Sequence, residues 1–144
     1  FRVTTDRAGW AVMGYSAGGY CAALLAMHHP DRFAAALVFG GYFRPVFSSG
    51  YVPLTETQAR SDTYDLALAA RTTPPPVAVW VMSSTEGVLS YRTTAEFIAN
   101  AHAPLTVTSR IEKTGGHRFD RWLTATSASV TWLGSTLPGF TPAK

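Results

Sequence analysis

The feature that most constrains this chain is Gly14-Tyr15-Ser16-Ala17-Gly18, a G-x-S-x-G between a short apolar run and a stretch with helical spacing. At average glycine and serine usage, three such fixed positions arise by chance in about one chain of this length in twenty. A strand before and a helix after give the motif its meaning. Trp10 to Met13 reads as a buried strand, and Tyr20, Leu24 and Met27 recur at helical spacing among alanines from Ala17 to His29, with Pro30 as the stop. A strand that turns into a helix at one residue strains the backbone there. It also presses together the positions two before and two after, where glycine avoids a Cβ clash. The serine hydroxyl is then raised above the sheet, and the Ala17 amide, at a helix N-terminus, points toward an oxyanion that would form beside it. The competing reading is an ordinary glycine turn in which Ser16 only caps the helix.

Along the rest of the chain, Phe33 to Phe39 and Val77 to Met82 are apolar throughout, the pattern of strands covered on both faces. Leu105 to Ile111 alternates and predicts a fourth strand. Helices are predicted around Asp62 to Arg71, at Tyr91 to His102 with Ala95, Ile98 and Ala99 on one face, and at Phe119 to Leu137. The last carries Phe119, Trp122, Leu123, Thr126, Val130 and Leu133 as its apolar stripe. Between Tyr42 and Pro76 the pattern is irregular and rich in proline, with Pro45, Pro53 and Pro74 to Pro76. Strand and helix alternate, which predicts an α/β domain with a mostly parallel sheet and helices on both faces.

A serine hydroxyl is a weak nucleophile without a neighbouring base. Of the four histidines, His28 and His29 close the elbow helix at the end away from Ser16, and His102 ends a later helix. His117 follows the fourth strand and the pair Gly115-Gly116, at the carboxyl edge where open α/β sheets bind ligands, and is the predicted general base. Glu86, in the Ser83 to Gly87 turn after the third strand, is the predicted acid that orients the imidazole. Asp62 and Asp65 are its substitutes, while Asp120 reads as a cap or decoration of the closing helix.

Composition narrows the alternatives. With 47% apolar and 15% charged residues among 144, the chain supports one folded domain and a sizeable core. A net charge of +3 without a basic block argues against a nucleic-acid surface. No apolar run approaches the roughly 18 residues of a membrane span. One cysteine, Cys21, excludes an intrachain disulfide and reads as a small core residue of the elbow helix. There is no His-Glu-x-x-His, no paired cysteine and no P-loop around Gly18-Gly19, so neither a metal nor another cofactor is expected.

Taken together, Gly14-Tyr-Ser-Ala-Gly-Gly19, His29-Pro-Asp-Arg-Phe33 and Gly115-Gly-His117, with Trp122 five residues on, resemble the putative esterase family of the α/β-hydrolase superfamily, the group of esterase D and the mycolyltransferases. The resemblance implies catalytic roles for Ser16 and His117 and maps the acid onto Glu86. It implies a serine carboxylic-ester hydrolase acting on a small-molecule ester through an acyl-enzyme. The alternatives are an acyltransferase on the same triad and a binding module that keeps the elbow without a working site. Exported or cell-envelope members are common in such a family. About half of the family's fold lies upstream of the elbow, including the loop that gives the second oxyanion donor, and little of this chain precedes Gly14. The resemblance therefore implies that residues 1–144 form the C-terminal half of the domain, with Ala11 to Met13 left as an apolar edge and the other half removed, disordered or a separate chain.

Overall fold

The computed structural model describes residues 3–45 and 62–140; residues 46–61 of the proline-rich stretch, Pro53 among them, lie outside the described residues. Four strands, β1 (Ala11–Tyr15), β2 (Ala35–Phe39), β3 (Ala78–Ser84) and β4 (Thr106–Glu112), form one sheet in sequential order. Every pairing is parallel, with Ala11 opposite Ala35, Ala35 opposite Ala78 and Ala78 opposite Thr106. The connections carry α1 (Ala17–His28), α2 (Leu66–Thr72) and α3 (Val88–Asn100), and α4 (Phe119–Leu123) and α5 (Thr126–Thr136) follow β4.

The period-2 alternation of the strands divides the core into two layers. Ala36 and Val38 of β2 and Val79 and Val81 of β3 pack with Ala23, Ala26 and Met27 of α1, with Leu66, Ala67 and Ala70 of α2, and with Phe97 of α3. Leu37, Phe39, Trp80 and Met82 face the other way, onto Trp122, Ala125 and Leu133. The expected α/β arrangement with helices on both faces is therefore present. All residues of β2 and β3 are buried, as their unbroken apolar runs require.

Four local readings differ from the sequence expectation. β1, read as a buried strand, has no buried residue, because it lies at the edge of the sheet and leaves Met13 exposed. The inward face of α3 is Ser90, Thr93, Thr94 and Phe97, whereas Ala95 and Ile98 are half-buried and Ala99 is exposed. The buried hydroxyls are satisfied: Thr94 Oγ1 donates to the Ser90 carbonyl at 2.9 Å and to the Gly41 carbonyl at 3.3 Å, and Thr93 Oγ1 accepts from the Phe43 N–H at 3.2 Å. The closing helix is two helices. Thr124 Oγ1 takes the Arg121 carbonyl at 2.6 Å and the Ala125 N–H bonds Trp122 O three residues back, so the chain turns before α5 begins. Phe119, Leu123 and Val130 of the expected stripe are then more than half exposed, while Trp122 and Leu133 are buried. Cys21 is exposed, because the buried stripe of α1 runs through Gly19, Ala22, Ala23, Ala26 and Met27 and leaves Cys21 and Leu25 outside it.

Candidate active site

The elbow is built by steric exclusion. Ser16 has φ 57° and ψ −123°, and it is the one non-glycine residue with positive φ among the described residues. A conformation of this kind costs about 1–3 kcal/mol and persists only where its surroundings enforce it. Here the Ser16 N–H is held by the Phe39 carbonyl at 2.9 Å, and the Ser16 carbonyl accepts the Tyr20 N–H at 3.1 Å to open α1. A Cβ on Gly14 would land on the Gly18 carbonyl, so β1 and the first turn of α1 approach as closely as the turn demands. Only one of the two glycines carries that constraint, since a Cβ on Gly18 would meet nothing within 4 Å. Ala17 is exposed as the first residue of α1, where backbone amides have no carbonyl four residues back to receive them.

Ser16 follows β1 and His117 follows β4, at opposite edges of the sheet. Three interstrand spacings amount to about 14 Å. The run Lys113 to His117 spans about 17 Å when extended, long enough to cross back over the carboxyl ends of β3 and β2. Gly115 and Gly116 turn the run with φ of 107° and 57°, values that disfavour a side chain. The crossing is laced to the loop after β3. Thr85 donates its N–H to the Glu112 carbonyl at 3.0 Å and its hydroxyl to the Lys113 carbonyl at 2.9 Å. The Gly116 N–H bonds Ser84 Oγ at 3.2 Å, and the Gly115 N–H bonds Glu86 Oε2 at 2.8 Å.

The outcome is one short contact between residues 101 positions apart: Ser16 Oγ and His117 Nε2 lie 2.8 Å from each other. Burial holds the imidazole below its ordinary value of 6.5, so the ring is neutral at pH 7 and its Nε2 can accept the hydroxyl proton. Aromatic rings surround it. Trp122 meets His117 edge-on with centroids 4.6 Å apart, and Tyr15 lies nearly parallel to it at 6.2 Å. Tyr15 also contacts Trp122 at 4.1 Å and Phe119 at 4.8 Å. Trp122 is fixed in turn against Gly40, where a Cβ would enter the indole.

Glu86 borders the same cavity of about 430 Å³ as Ser16, Tyr42 and His117. Its carboxylate is bonded to the Gly115 amide, and no Glu86–His117 hydrogen bond is present among the described residues. The expected substitutes sit elsewhere. Asp65 caps α2 by accepting the Leu68 N–H at 2.9 Å and faces the Arg44 guanidinium at 3.8 Å. Asp62 borders a separate cavity with His28 and Thr63. Asp120 pairs with Arg118, whose hydrogen bond and charge hold its carboxyl below the usual carboxylate range. Of the other histidines, His28 bonds the Thr63 carbonyl and His102 the Arg71 and Ala103 carbonyls, away from Ser16. Tyr20 donates to the Tyr64 carbonyl and stacks on Tyr42, and Phe43 is fully buried on Phe97. The contact of Tyr15 with the imidazole had one sequence signal, an aromatic residue inside the elbow motif and others two and five places after His117. Among the described residues no group of three or more His, Cys, Asp or Glu side chains is placed to hold a metal, and no helix is long and apolar enough to cross a membrane.

The fold is shared with solved structures. A ferulic acid esterase is similar at 22% identity, with a TM-score of 0.67 over 92% of this chain and 54% of its own. An S-formylglutathione hydrolase from Agrobacterium tumefaciens is similar at 20% identity, with a TM-score of 0.72 over 95% of this chain and 52% of that one. The fluorophosphonate-binding serine hydrolase F of Staphylococcus aureus is 17% identical, with a TM-score of 0.65 over 92% and 57%. The chain thus spans about half the length of these structures, and the likeness establishes the α/β-hydrolase fold. No curated protein matches the sequence. The model of the putative esterase family matches residues 1–137, and the chain belongs to that family.

Proposed function

We propose that the chain carries the catalytic centre of a serine carboxylic-ester hydrolase. The observation that carries this reading is the 2.8 Å contact between Ser16 Oγ at the elbow and His117 Nε2. Ser16 Oγ attacks the acyl carbon while His117 Nε2 takes its proton, and the Ala17 N–H receives the oxyanion. The tetrahedral intermediate collapses, the C–O bond to the alcohol breaks, and His117 returns the proton to the leaving oxygen. Water then attacks the acyl-enzyme with His117 again as base, releasing the acid and restoring Ser16. Glu86 is the carboxylate of the set. It holds the His117 loop through the Gly115 amide and adds negative charge near the imidazolium that forms. Turnover of p-nitrophenyl esters by the chain tests the reading. Loss of at least about a thousandfold in Ser16→Ala is expected, and equal turnover by this variant contradicts it.

We also propose that residues 1–144 make up the C-terminal part of an α/β-hydrolase domain whose further strands pair with β1. β1 is an edge strand with Met13 61% exposed, an apolar edge of the kind proteins ordinarily cover. A loop between those upstream elements also supplies the second oxyanion donor. Hydrogen exchange is the check. Alternate β1 amides are expected to become protected when the upstream strands are supplied, and unchanged exchange contradicts the pairing.

A further inference from the structure

Most side chains lining the cavity beside Ser16 and His117 are engaged by hydrogen bonds or stacking. Glu86 is bonded to the Gly115 amide, Ser90 Oγ donates to the Gly87 carbonyl, and Tyr42 stacks on Tyr20. Val88 and Leu89 are each 72% exposed, the most exposed large apolar side chains bordering this cavity. They open α3, whose buried stripe begins only at Ser90 and continues through Thr93, Thr94 and Phe97. A first helical turn favours acidic and small polar residues, which satisfy its free amides and its dipole. This turn has no acidic residue, and Gly87 caps it without a side-chain bond. Two branched apolar residues therefore stand where neither helix formation nor packing among the described residues calls for them, at the rim of a nucleophile.

We infer that Val88 and Leu89 form an apolar subsite that binds an alkyl or aryl arm of the ester, an inference that rests on the hydrolase reading above. A cavity of about 430 Å³ falls within the range of small-molecule sites, and sites of that kind are mostly apolar with few polar groups near the chemistry. An uncharged arm laid on the two side chains leaves its carbonyl near Ser16. Each methylene that becomes buried is expected to raise kcat/KM by up to about fourfold, equivalent to about 0.8 kcal/mol per buried CH₂.

The experiment uses two ester series, one lengthening the acyl chain from acetate to hexanoate with p-nitrophenol as leaving group, the other lengthening the alcohol of a butyrate ester. A rise of at least tenfold in kcat/KM is expected in one series, and that series names the arm that is bound. In Val88→Ser/Leu89→Ser the ratio of longest to shortest ester falls several-fold toward one, while in Val130→Ser, an exposed apolar position on α5, the ratio stays as in the parent. Methyl ketones from acetone to 2-octanone, which are not hydrolysed, supply a readout independent of turnover through the NMR shifts of the Val88 and Leu89 methyls. Flat kcat/KM in both series, or a ratio unmoved by the double substitution, overturns the subsite. Ketone binding that tightens with chain length, without turnover of any ester, supports the subsite and instead overturns the hydrolase reading.

Discussion

Ser16 and His117 meet at 2.8 Å, yet the molecule positions them by different means. The serine is placed by backbone. Five consecutive residues, one glycine against the Gly18 carbonyl and the hydrogen bond from the Ser16 N–H to the Phe39 carbonyl leave it little freedom. The histidine is placed by side chains, at the end of a run that crosses the sheet and is tied to the loop after β3 by Thr85, Ser84 and Glu86, with Tyr15 and Trp122 against its ring. A serine set by local sterics is displaced all at once, whereas a histidine set by many weak contacts is displaced in steps. That difference orders the expected effects.

The largest belongs to the backbone side. Gly14→Ala is expected to destroy the elbow, with a loss of at least about 3 kcal/mol in chemical denaturation and no measurable ester turnover; wild-type stability would break the steric account. On the histidine side the effects are graded. Tyr15, 37% exposed, is removable without opening the core, so Tyr15→Leu is expected to lower kcat roughly tenfold with a stability change under about 1 kcal/mol, and Tyr15→Phe to restore it. Equal kcat in the leucine variant would remove the ring from the account.

Glu86 separates anchoring from charge. The amide oxygen of Glu86→Gln still accepts the Gly115 N–H, so a loss of only a few-fold is expected there, against about tenfold or more for Glu86→Ala. A collapse of the glutamine variant by several orders of magnitude would instead identify the carboxylate as the direct partner of the imidazole. The pH profile sharpens the same point. Because burial lowers the His117 value, the neutral base persists to lower pH, and the acid limb of kcat/KM is expected to have its midpoint below 6.5. Tyr15→Leu exposes the ring and is expected to move that midpoint up toward 6.5; a midpoint above 6.5 in the parent would show that a carboxylate governs it. The smallest effect is Gly18→Ala, where open space and a helical position predict a gain of up to about 1 kcal/mol.

The same contrast governs what was legible in the sequence. The elbow, the buried strands β2 and β3 and the histidine after Gly115-Gly116 are recorded in short contiguous patterns, and they were readable. The inward face of α3 was not, because Ser90, Thr93 and Thr94 are buried by hydroxyl bonds to carbonyls and to a backbone amide, which hydropathy does not register. Nor was the break at Thr124, where one hydroxyl captures a carbonyl, or the exposure of Cys21, where alanines and not the larger residues define the contact stripe. The place of Glu86 after β3 makes it a candidate, but its bond to the Gly115 amide depends on a tertiary approach that spacing along the chain does not encode.

The central claim is that the Ser16 hydroxyl is activated by His117. Incubation with an alkyl fluorophosphonate, followed by intact mass and peptide mapping, tests it most directly. One adduct on Ser16 is expected, absent in Ser16→Ala and formed at least about a hundredfold more slowly in His117→Ala. An unlabelled parent chain, or a His117→Ala variant labelled at the parental rate, would contradict it.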